Sequence, residues 1–109
     1  MRKFTKYDQG KSRLDLLPPL AIELVGHVLA HGAIKYAPGN WRLCKDPNRY
    51  IAAMLRHTFA ELRGEDLDPE SEIFHLAHAA CCALFALEIK LIHPQPKRKP
   101  LDKKRGRVR

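Results

Sequence analysis

Residues 73–92 constrain the fold of this chain more than any other stretch. Only His75, His78, Glu88 and Lys90 are clearly polar in this run, and its leucines recur at near-heptad spacing. This spacing predicts an α-helix that is apolar nearly all round, and such a helix must be buried nearly all round. No apolar stretch of the chain reaches the roughly 18–20 residues without charge or histidine that a membrane span needs, so we expect no membrane segment.

Helix start and stop signals predict two further helices before this one. Proline is tolerated in a first helical turn, aspartate caps helix N-termini, and glycine or proline marks helix ends. These signals predict helices over about 18–35, 47–63 and 69–92, opened by Pro18-Pro19, Asp46-Pro47 and Asp68-Pro69. The predicted fold class is all-α, an antiparallel helical bundle. Three helices leave the third with too few neighbours, so we expect a homo-oligomer, a dimer or tetramer, to complete the bundle.

The net charge of +8 is concentrated at one end of the chain. Residues 97–109 hold eight Lys or Arg and one Asp, which leaves residues 1–96 close to neutral at +1. We therefore predict a single helical domain over 1–96 and a basic, disordered tail over 97–109. A basic tail also attaches to nucleic acid through counterion release, which keeps a nucleic-acid-binding module as an alternative, although a near-neutral body argues against it.

Cysteine usage and the N-terminal residues predict a cytoplasmic protein. The three cysteines, Cys44, Cys81 and Cys82, form neither a CxxC pair nor an even disulfide framework, which favours a reducing compartment. Residues 1–16 carry five Lys or Arg and no apolar segment, so they do not have the pattern of a signal peptide.

Imidazoles and carboxylates collect around the link between the second and third helices. His57 and Glu61 are four residues apart, and His75 and His78 are three apart, so each pair shares one helix face. The short link over 65–68 forces the two helices into a hairpin, which brings the end of one beside the start of the other. The residues that we expect to converge there are His57, Glu61, Glu65, Asp68, His75 and His78.

This mixed donor set predicts a divalent metal. Carboxylates suit Mg²⁺ or Mn²⁺, whereas three imidazoles suit a transition metal such as Zn²⁺. Because both donor types are present, we predict a Mg²⁺ or Mn²⁺ site. Histidine either binds the metal directly or forms a hydrogen bond to one of its ligands. An alternative interpretation needs no metal: Asp68, Glu70 and Glu72 simply complement the dipole of a helix start. Phosphate-loop, dinucleotide-binding, zinc-finger and HExxH patterns are all missing from the sequence.

The connection after the first helix carries groups that suit a nucleotide. Lys35, Tyr36, Asn40, Trp41 and Arg42 place cations, aromatic rings and an amide on one loop. Stacking and charge-assisted hydrogen bonds from such groups hold a base and its phosphates. The equally open alternative is a loop that is pinned in place by a buried tryptophan.

Four ordered blocks of the chain resemble a known family. KYDQGKSRLDLLPP, GAIKYAPGNWR, RYIAAMLRH and RGEDLDPESEIFHLAHAACCALFALE are similar to the phage-associated dATP/dGTP diphosphohydrolases, a branch of the all-α, MazG-like nucleoside triphosphate pyrophosphohydrolases. The resemblance covers about residues 5–90. It implies an oligomeric, Mg²⁺- or Mn²⁺-dependent enzyme of the host cytoplasm that cleaves purine deoxynucleoside triphosphates to monophosphate and pyrophosphate.

The resemblance also implies which residues form the site. The wider superfamily binds metal through EExxE on one helix and ExxD on the next, where this chain has HTFAE (57–61) and HLAH (75–78). Only Glu61 keeps its expected carboxylate, so Glu65, Asp68 and Glu70 are candidates to supply the missing oxygens. The implied metal ligands are Glu61, Glu65, Asp68, His75 and His78, and the implied catalytic residues are His57, Glu61 and Glu65. Two further departures are Glu72 in place of Gly and Cys82 in place of Asn.

Substrate contacts are expected from basic and aromatic side chains outside the metal site. Cations steady the charge that develops on phosphate oxygens, and aromatic rings hold the base. The candidates for phosphate are Lys11, Arg13, Lys35, Arg49 and Arg56, and those for the base are Tyr36, Asn40 and Trp41. Because histidines replace expected carboxylates, a catalytically weak nucleotide-binding module remains the alternative to an enzyme.

Overall fold

Three α-helices form the body of the protein. A computed structural model describes residues 2–94, 101–102 and 107–108, in which α1 spans Pro19–Lys35, α2 spans Asn48–Leu62 and α3 spans His75–Ile92. Short 3-10 turns occupy Leu14–Leu16 and Asn40–Leu43. The all-α prediction for the body is confirmed.

The described part of the basic tail contains one short antiparallel ladder. Its strands, β1 (Leu101–Asp102) and β2 (Arg107–Val108), pair Leu101 with Val108. The rest of the tail that begins at residue 97 lies outside the described residues, so the prediction of a disordered tail stays a prediction.

The first two helices begin and end close to their sequence signals. Pro19 opens α1, and Gly32 lies inside this helix, where its carbonyl accepts from the Tyr36 N–H at 2.9 Å. At the start of α2 the Asp46 carboxylate accepts the Asn48 N–H at 3.0 Å, which satisfies one of the free N–H groups of a helix start. α1 begins one residue later than predicted and ends where predicted, and α2 is one residue shorter at each end, which is within the usual spread of helix assignment.

The third helix begins six residues later than predicted. Asp68 does act as a cap, since its carboxylate accepts the N–H of Ser71 at 2.9 Å and its carbonyl accepts the N–H of Glu72 at 2.7 Å. This single turn ends at Glu72, whose φ of 59° is left-handed and stops a helix as a C-terminal glycine does. The chain then extends, pairs Phe74 with Leu67, and enters α3 at His75. The predicted start at Asp68-Pro69 is therefore wrong.

The core lies where α3 packs between α1 and α2. Val25 and Val28 of α1 contact Ala77 and Cys81 of α3, and Ile89 is the most deeply buried side chain described, at 1% exposure. By length and composition alone, α3 would cross a membrane, but a core helix meets the same criterion. Six of its eighteen residues are buried, and it contacts both other helices.

One side of the hairpin is apolar and uncovered in the single chain. Leu76, Leu84, Leu87 and Leu91 of α3 are each at least half exposed, as is Phe59 of α2. The expectation that α3 is buried nearly all round is thus not met within one chain. The predicted oligomer stays a prediction.

Candidate functional site

The end of α2 fixes the position of Glu65. The N–H of Gly64 bonds to the carbonyl of Glu61 at 3.0 Å, and the N–H of Glu65 bonds back to the carbonyl of Ala60 at 3.0 Å. This pair of bonds is a Schellman motif, and it requires the left-handed φ of 93° that glycine adopts without strain. Glu65 therefore leaves the helix in a defined direction, toward the first turn of α3.

Glu65, His75 and His57 form a chain of hydrogen bonds across the hairpin. His75 is buried at 4% exposure, and its Nε2 lies 2.7 Å from Glu65 Oε1. Because an ionised carboxylate only accepts, Nε2 of His75 carries the proton and donates it. The Nδ1 atoms of His75 and His57 lie 2.8 Å apart, which is a hydrogen-bond distance, so the two nitrogens share one proton.

A second network connects the 68–71 turn to α3. The Ser71 hydroxyl donates to the Asp68 carboxylate at 3.0 Å and lies 2.6 Å from His78 Nε2. His78 Nε2 is itself 3.9 Å from Asp68. The His78 ring stacks on that of His57, with centroids 4.7 Å apart and planes at 12°. The two networks thus meet at the stacked imidazoles.

The surroundings favour neutral imidazoles beside an ionised carboxylate. Burial lowers the pKa of His57, and the neighbouring His78 and His75 lower it further. Burial also lowers the pKa of His78, against the opposing effect of Asp68. Burial alone would raise the pKa of Asp68, but the two hydrogen bonds from Ser71 and the histidines outweigh it, and the net pKa is lowered.

These residues fit a divalent cation. One donor atom from each of His57, Asp68 and His75 lies within 4.8 Å of the other two. Neutral imidazole and ionised carboxylate are the protonation states that bind metal. Glu65 on the far nitrogen of His75 matches the carboxylate that commonly orients a metal-binding histidine. The prediction of a metal site here gains support from this donor set.

A cavity of about 550 Å³ connects this cluster to the loop after α1. His57, Asp68 and His78 line it, and so do four of the predicted substrate residues, namely Lys35, Tyr36, Asn40 and Trp41. A volume of this size is typical of small-ligand sites. The cavity is therefore large enough for a nucleotide and carries both phosphate-binding and base-binding chemistry.

An ion pair joins the two sides of the cavity. Lys35 Nζ lies 2.7 Å from Glu70 Oε1, and His31 Nε2 lies 3.8 Å from the same oxygen. The Lys35 ammonium lowers the pKa of the Glu70 carboxyl. Lys35 is thus tethered at the cavity by Glu70.

Trp41 packs into the wall of the cavity rather than standing free. Its ring stacks on Phe85 of α3 with centroids 4.9 Å apart, and the Arg42 guanidinium lies 4.7 Å from the Trp41 ring. Tyr50 contacts the same phenyl ring edge-on. The half-buried tryptophan pins the loop, and it also lines the cavity, so the two interpretations of this residue are compatible.

Several predicted site residues lie outside both networks and the cavity lining. Glu61 is half-buried one turn after His57, and within residues 2–94 its carboxylate makes no hydrogen bond or ion pair. Arg13 pairs with Asp15 at 2.9 Å, and the remaining predicted phosphate residues are exposed: Lys11, Arg49 and Arg56. Their roles stay predictions.

Sequence reasoning missed Ser71 and underrated Glu70. The signal for Ser71 was present, because a serine three residues after a capping aspartate is placed to bond it. Glu70 was interpreted as a helix-dipole charge or a spare ligand, whereas it pairs with Lys35. Phe85 and Tyr50 gave no sequence signal, since an aromatic residue at helical spacing is indistinguishable from ordinary core.

Comparison with known proteins agrees with the resemblance. Residues 2–99 match the family described as dATP/dGTP diphosphohydrolase, N-terminal. The chain belongs to this family. A dATP/dGTP diphosphohydrolase of Salmonella phage PMBT28 is 40% identical over 80 residues, which is 73% of this chain and 27% of that protein. The chain therefore spans about a quarter of the length of this member of the dATP/dGTP diphosphohydrolase family. No solved structure matches the chain.

Proposed function

We propose that this chain hydrolyses dATP and dGTP to the monophosphate and pyrophosphate with the help of a divalent metal. The observation that carries the proposal is the single cavity that His57 and Asp68 share with Lys35, Tyr36 and Asn40. It offers a place for the metal, the phosphates and the base within one site. The printed name of the phage relative supports the choice of substrate.

The proposed cofactor is Mg²⁺ or Mn²⁺, held by residues of the cluster around His75. A bound divalent ion neutralises the triphosphate and lowers the pKa of an attacking water. Glu65 orients His75, and Ser71 orients His78 and Asp68, so the donors keep their positions before the substrate arrives. The predicted ligand Glu61 would have to enter this site from one turn away.

Lys35 is the proposed phosphate contact inside the cavity. Its ammonium, released from Glu70, provides the charge that steadies a phosphate oxygen as negative charge develops. Tyr36 and Asn40 line the same cavity and provide an aromatic face and an amide for the base. The proposal keeps Lys11, Arg13, Arg49 and Arg56 as further phosphate contacts that a larger assembly or a bound substrate brings in.

The exposed leucines of α3 support a homo-oligomer as the working form. They recur at near-heptad spacing, and each is at least half exposed in one chain. Two copies that pack these rows together bury them as a four-helix bundle does. Sedimentation at micromolar concentration tests this, and a monomer would rule it out. We place the enzyme in the cytoplasm of the host cell, where its substrates are.

Product analysis tests the proposed reaction. Purified protein is incubated with dGTP or dATP and Mn²⁺ or Mg²⁺, and the nucleotides are separated by anion exchange. We expect monophosphate and pyrophosphate, and we expect loss of turnover in Asp68→Asn but not in Glu88→Gln, an exposed acid on α3. Release of nucleoside and triphosphate would refute the cleavage position. Full turnover in Asp68→Asn would refute the site.

The alternative is a nucleotide-binding module with weak or no catalysis. The imidazoles at positions where the resemblance expects carboxylates favour it. Calorimetric binding of dGTP without turnover, under every metal tested, would select this alternative. Nucleic-acid binding through the basic tail predicts an affinity that falls steeply with salt, and it fails if removal of residues 97–109 leaves that affinity unchanged.

A further inference from the structure

Two nitrogens of the cluster face each other across the hairpin. The Nδ1 atoms of His57 and His75 lie 2.8 Å apart, and neither helix offers a competing backbone partner for them among the described contacts. Two imidazole nitrogens at this separation either share one proton or bind one cation that lies to one side of the line between them. The nature of the third donor and of the groups behind the histidines decides between these.

The group behind His75 is the one that metal-binding histidines commonly have. Glu65 accepts from Nε2 at 2.7 Å, so the lone pair of His75 is on Nδ1, on the side that faces His57. A carboxylate on the far nitrogen fixes the tautomer and raises the basicity of the ligand nitrogen.

The third donor closes the site. A donor atom of Asp68 lies within 4.8 Å of those of both histidines. Two ligands about 2.1 Å from one ion lie about 3.0–3.4 Å apart at octahedral or tetrahedral angles. The two nitrogens therefore have to separate by a few tenths of an ångström, and the Asp68 carboxylate has to approach them by up to about 1.8 Å.

We propose that His57 Nδ1, His75 Nδ1 and the Asp68 carboxylate form a transition-metal site that prefers Mn²⁺, Co²⁺ or Zn²⁺ to Mg²⁺, with Glu65 as the orienting partner of His75. Two nitrogens and one oxygen suit first-row transition metals, whereas Mg²⁺ prefers oxygen ligands and gives up its water reluctantly. This assignment of the metal rests on the proposed function only for the reaction that the metal serves. Metal binding itself is measured without any turnover.

The choice of ligands leaves out three residues that the sequence suggested, and one of these, Glu65, bonds the far nitrogen of His75 instead. His78 Nε2 is occupied by the Ser71 hydroxyl at 2.6 Å, and Glu61 lies outside the network. His78 instead stacks on His57 and holds that ring in its orientation. The proposed ion therefore touches one residue of α2, one of α3 and one of the turn between them, and it ties the hairpin together.

Competitive metal binding tests the proposal. Protein stripped with chelator is dialysed against equal concentrations of Mg²⁺, Mn²⁺, Co²⁺ and Zn²⁺, and retained metal is measured by inductively coupled plasma mass spectrometry. We expect one transition ion per chain and no retained Mg²⁺. The Co²⁺ form should show visible absorption bands that His57→Asn and Asp68→Asn abolish. Retention of Mg²⁺ in preference to the others would overturn the assignment.

Glu65→Gln separates an orienting role from a structural one. The amide keeps a hydrogen bond to His75 but loses the charge, so we expect metal affinity to fall about 10–100-fold. Glu88→Gln is the matched control and should bind as the unmodified protein does. Unchanged affinity in Glu65→Gln, with helical circular dichroism intact, would refute the role of Glu65. Binding of a transition metal without turnover would refute only the proposed function. Turnover with Mg²⁺ in a protein that binds no transition metal would refute only this metal site.

Discussion

Glu72→Gly should stabilise the protein, because residue 72 adopts a conformation that favours glycine. Its φ is 59°, and within residues 2–94 and the two tail strands it is the non-glycine residue with a positive φ. A left-handed conformation costs an L-residue roughly 1–2 kcal/mol. The side chain of Glu72 is exposed, and its carboxylate makes no hydrogen bond or ion pair with the part of the chain that the structure describes. Its removal therefore loses no contact that offsets the relief of strain.

The net gain follows from two opposing effects. Relief of the left-handed strain contributes about 1–2 kcal/mol, and the larger backbone freedom of glycine in the unfolded chain takes back about 0.5–1 kcal/mol. We expect the free energy of unfolding to rise by about 0.5–1 kcal/mol. For a helical domain of this size, that corresponds to an increase in Tm of roughly 3–6 °C.

Urea and thermal unfolding, both followed by circular dichroism at 222 nm, measure this difference. Glu72→Ala is the matched control, since it removes the same side chain and leaves the strained φ in place. We expect the alanine variant to lie within about 0.5 kcal/mol of the starting protein. Equal stability of the glycine and alanine variants would refute the argument that backbone strain at this position costs free energy.

Two further predictions concern side chains of the core and the site. Iodoacetamide at pH 8 should modify Cys44 but leave Cys81 intact in native protein, because Cys81 is 2% exposed and burial raises its pKa to about 12. Peptide mass spectrometry measures the labelling, and modification of Cys81 in native protein would contradict the prediction. Ser71→Ala should lower the free energy of unfolding by about 1–3 kcal/mol, since it leaves the part-buried Nε2 of His78 without its hydroxyl partner. Urea unfolding measures the loss, and the exposed Ser12→Ala should show none.

Local signals predicted the first two helices because those signals act locally. Proline at the start of α1 and the glycine after α2 determine the conformation of their own residues, so the bounds follow within a residue or so. The start of α3 was predicted wrongly for a related reason. The capping bonds of Asp68 exist, but a cap determines only the first turn, and the left-handed Glu72 ends that turn after four residues.

The packing face of α2 was harder to predict from the sequence. Hydrophobic spacing along α2 favours a core face that contains Leu55 and Leu62, yet both side chains are exposed, at 43% and 75%. The face that meets α3 instead contains Ala60, which is buried, and His57. A small side chain lets the helix backbones approach closely enough for imidazoles to pair across the interface. Hydrophobic periodicity depends only on where apolar residues recur, so it does not predict that the site needs a small residue at this position.

The convergence of His57 and His75 was predictable, but the roles of the residues around them were not. Spacing on each helix and a short link suffice to bring two imidazoles together. Which atom bonds which depends on how the 64–74 segment turns. The Ser71 hydroxyl reaches His78 seven residues away only because Glu72 reverses the chain between them.

The link between α2 and α3 has two rigid ends, and each end holds one carboxylate of the site. The glycine turn at residue 64 aims Glu65 at the far nitrogen of His75, and the capped turn at 68–71 aims Asp68 at the imidazoles from the other side. Both carboxylates are therefore positioned by backbone hydrogen bonds rather than by packing. A site built in this way keeps its donors in place while the apolar face of α3 stays free to contact another chain. The link between α2 and α3 thus positions the carboxylates of the site, whereas the proposed contact with another chain uses the apolar face of α3.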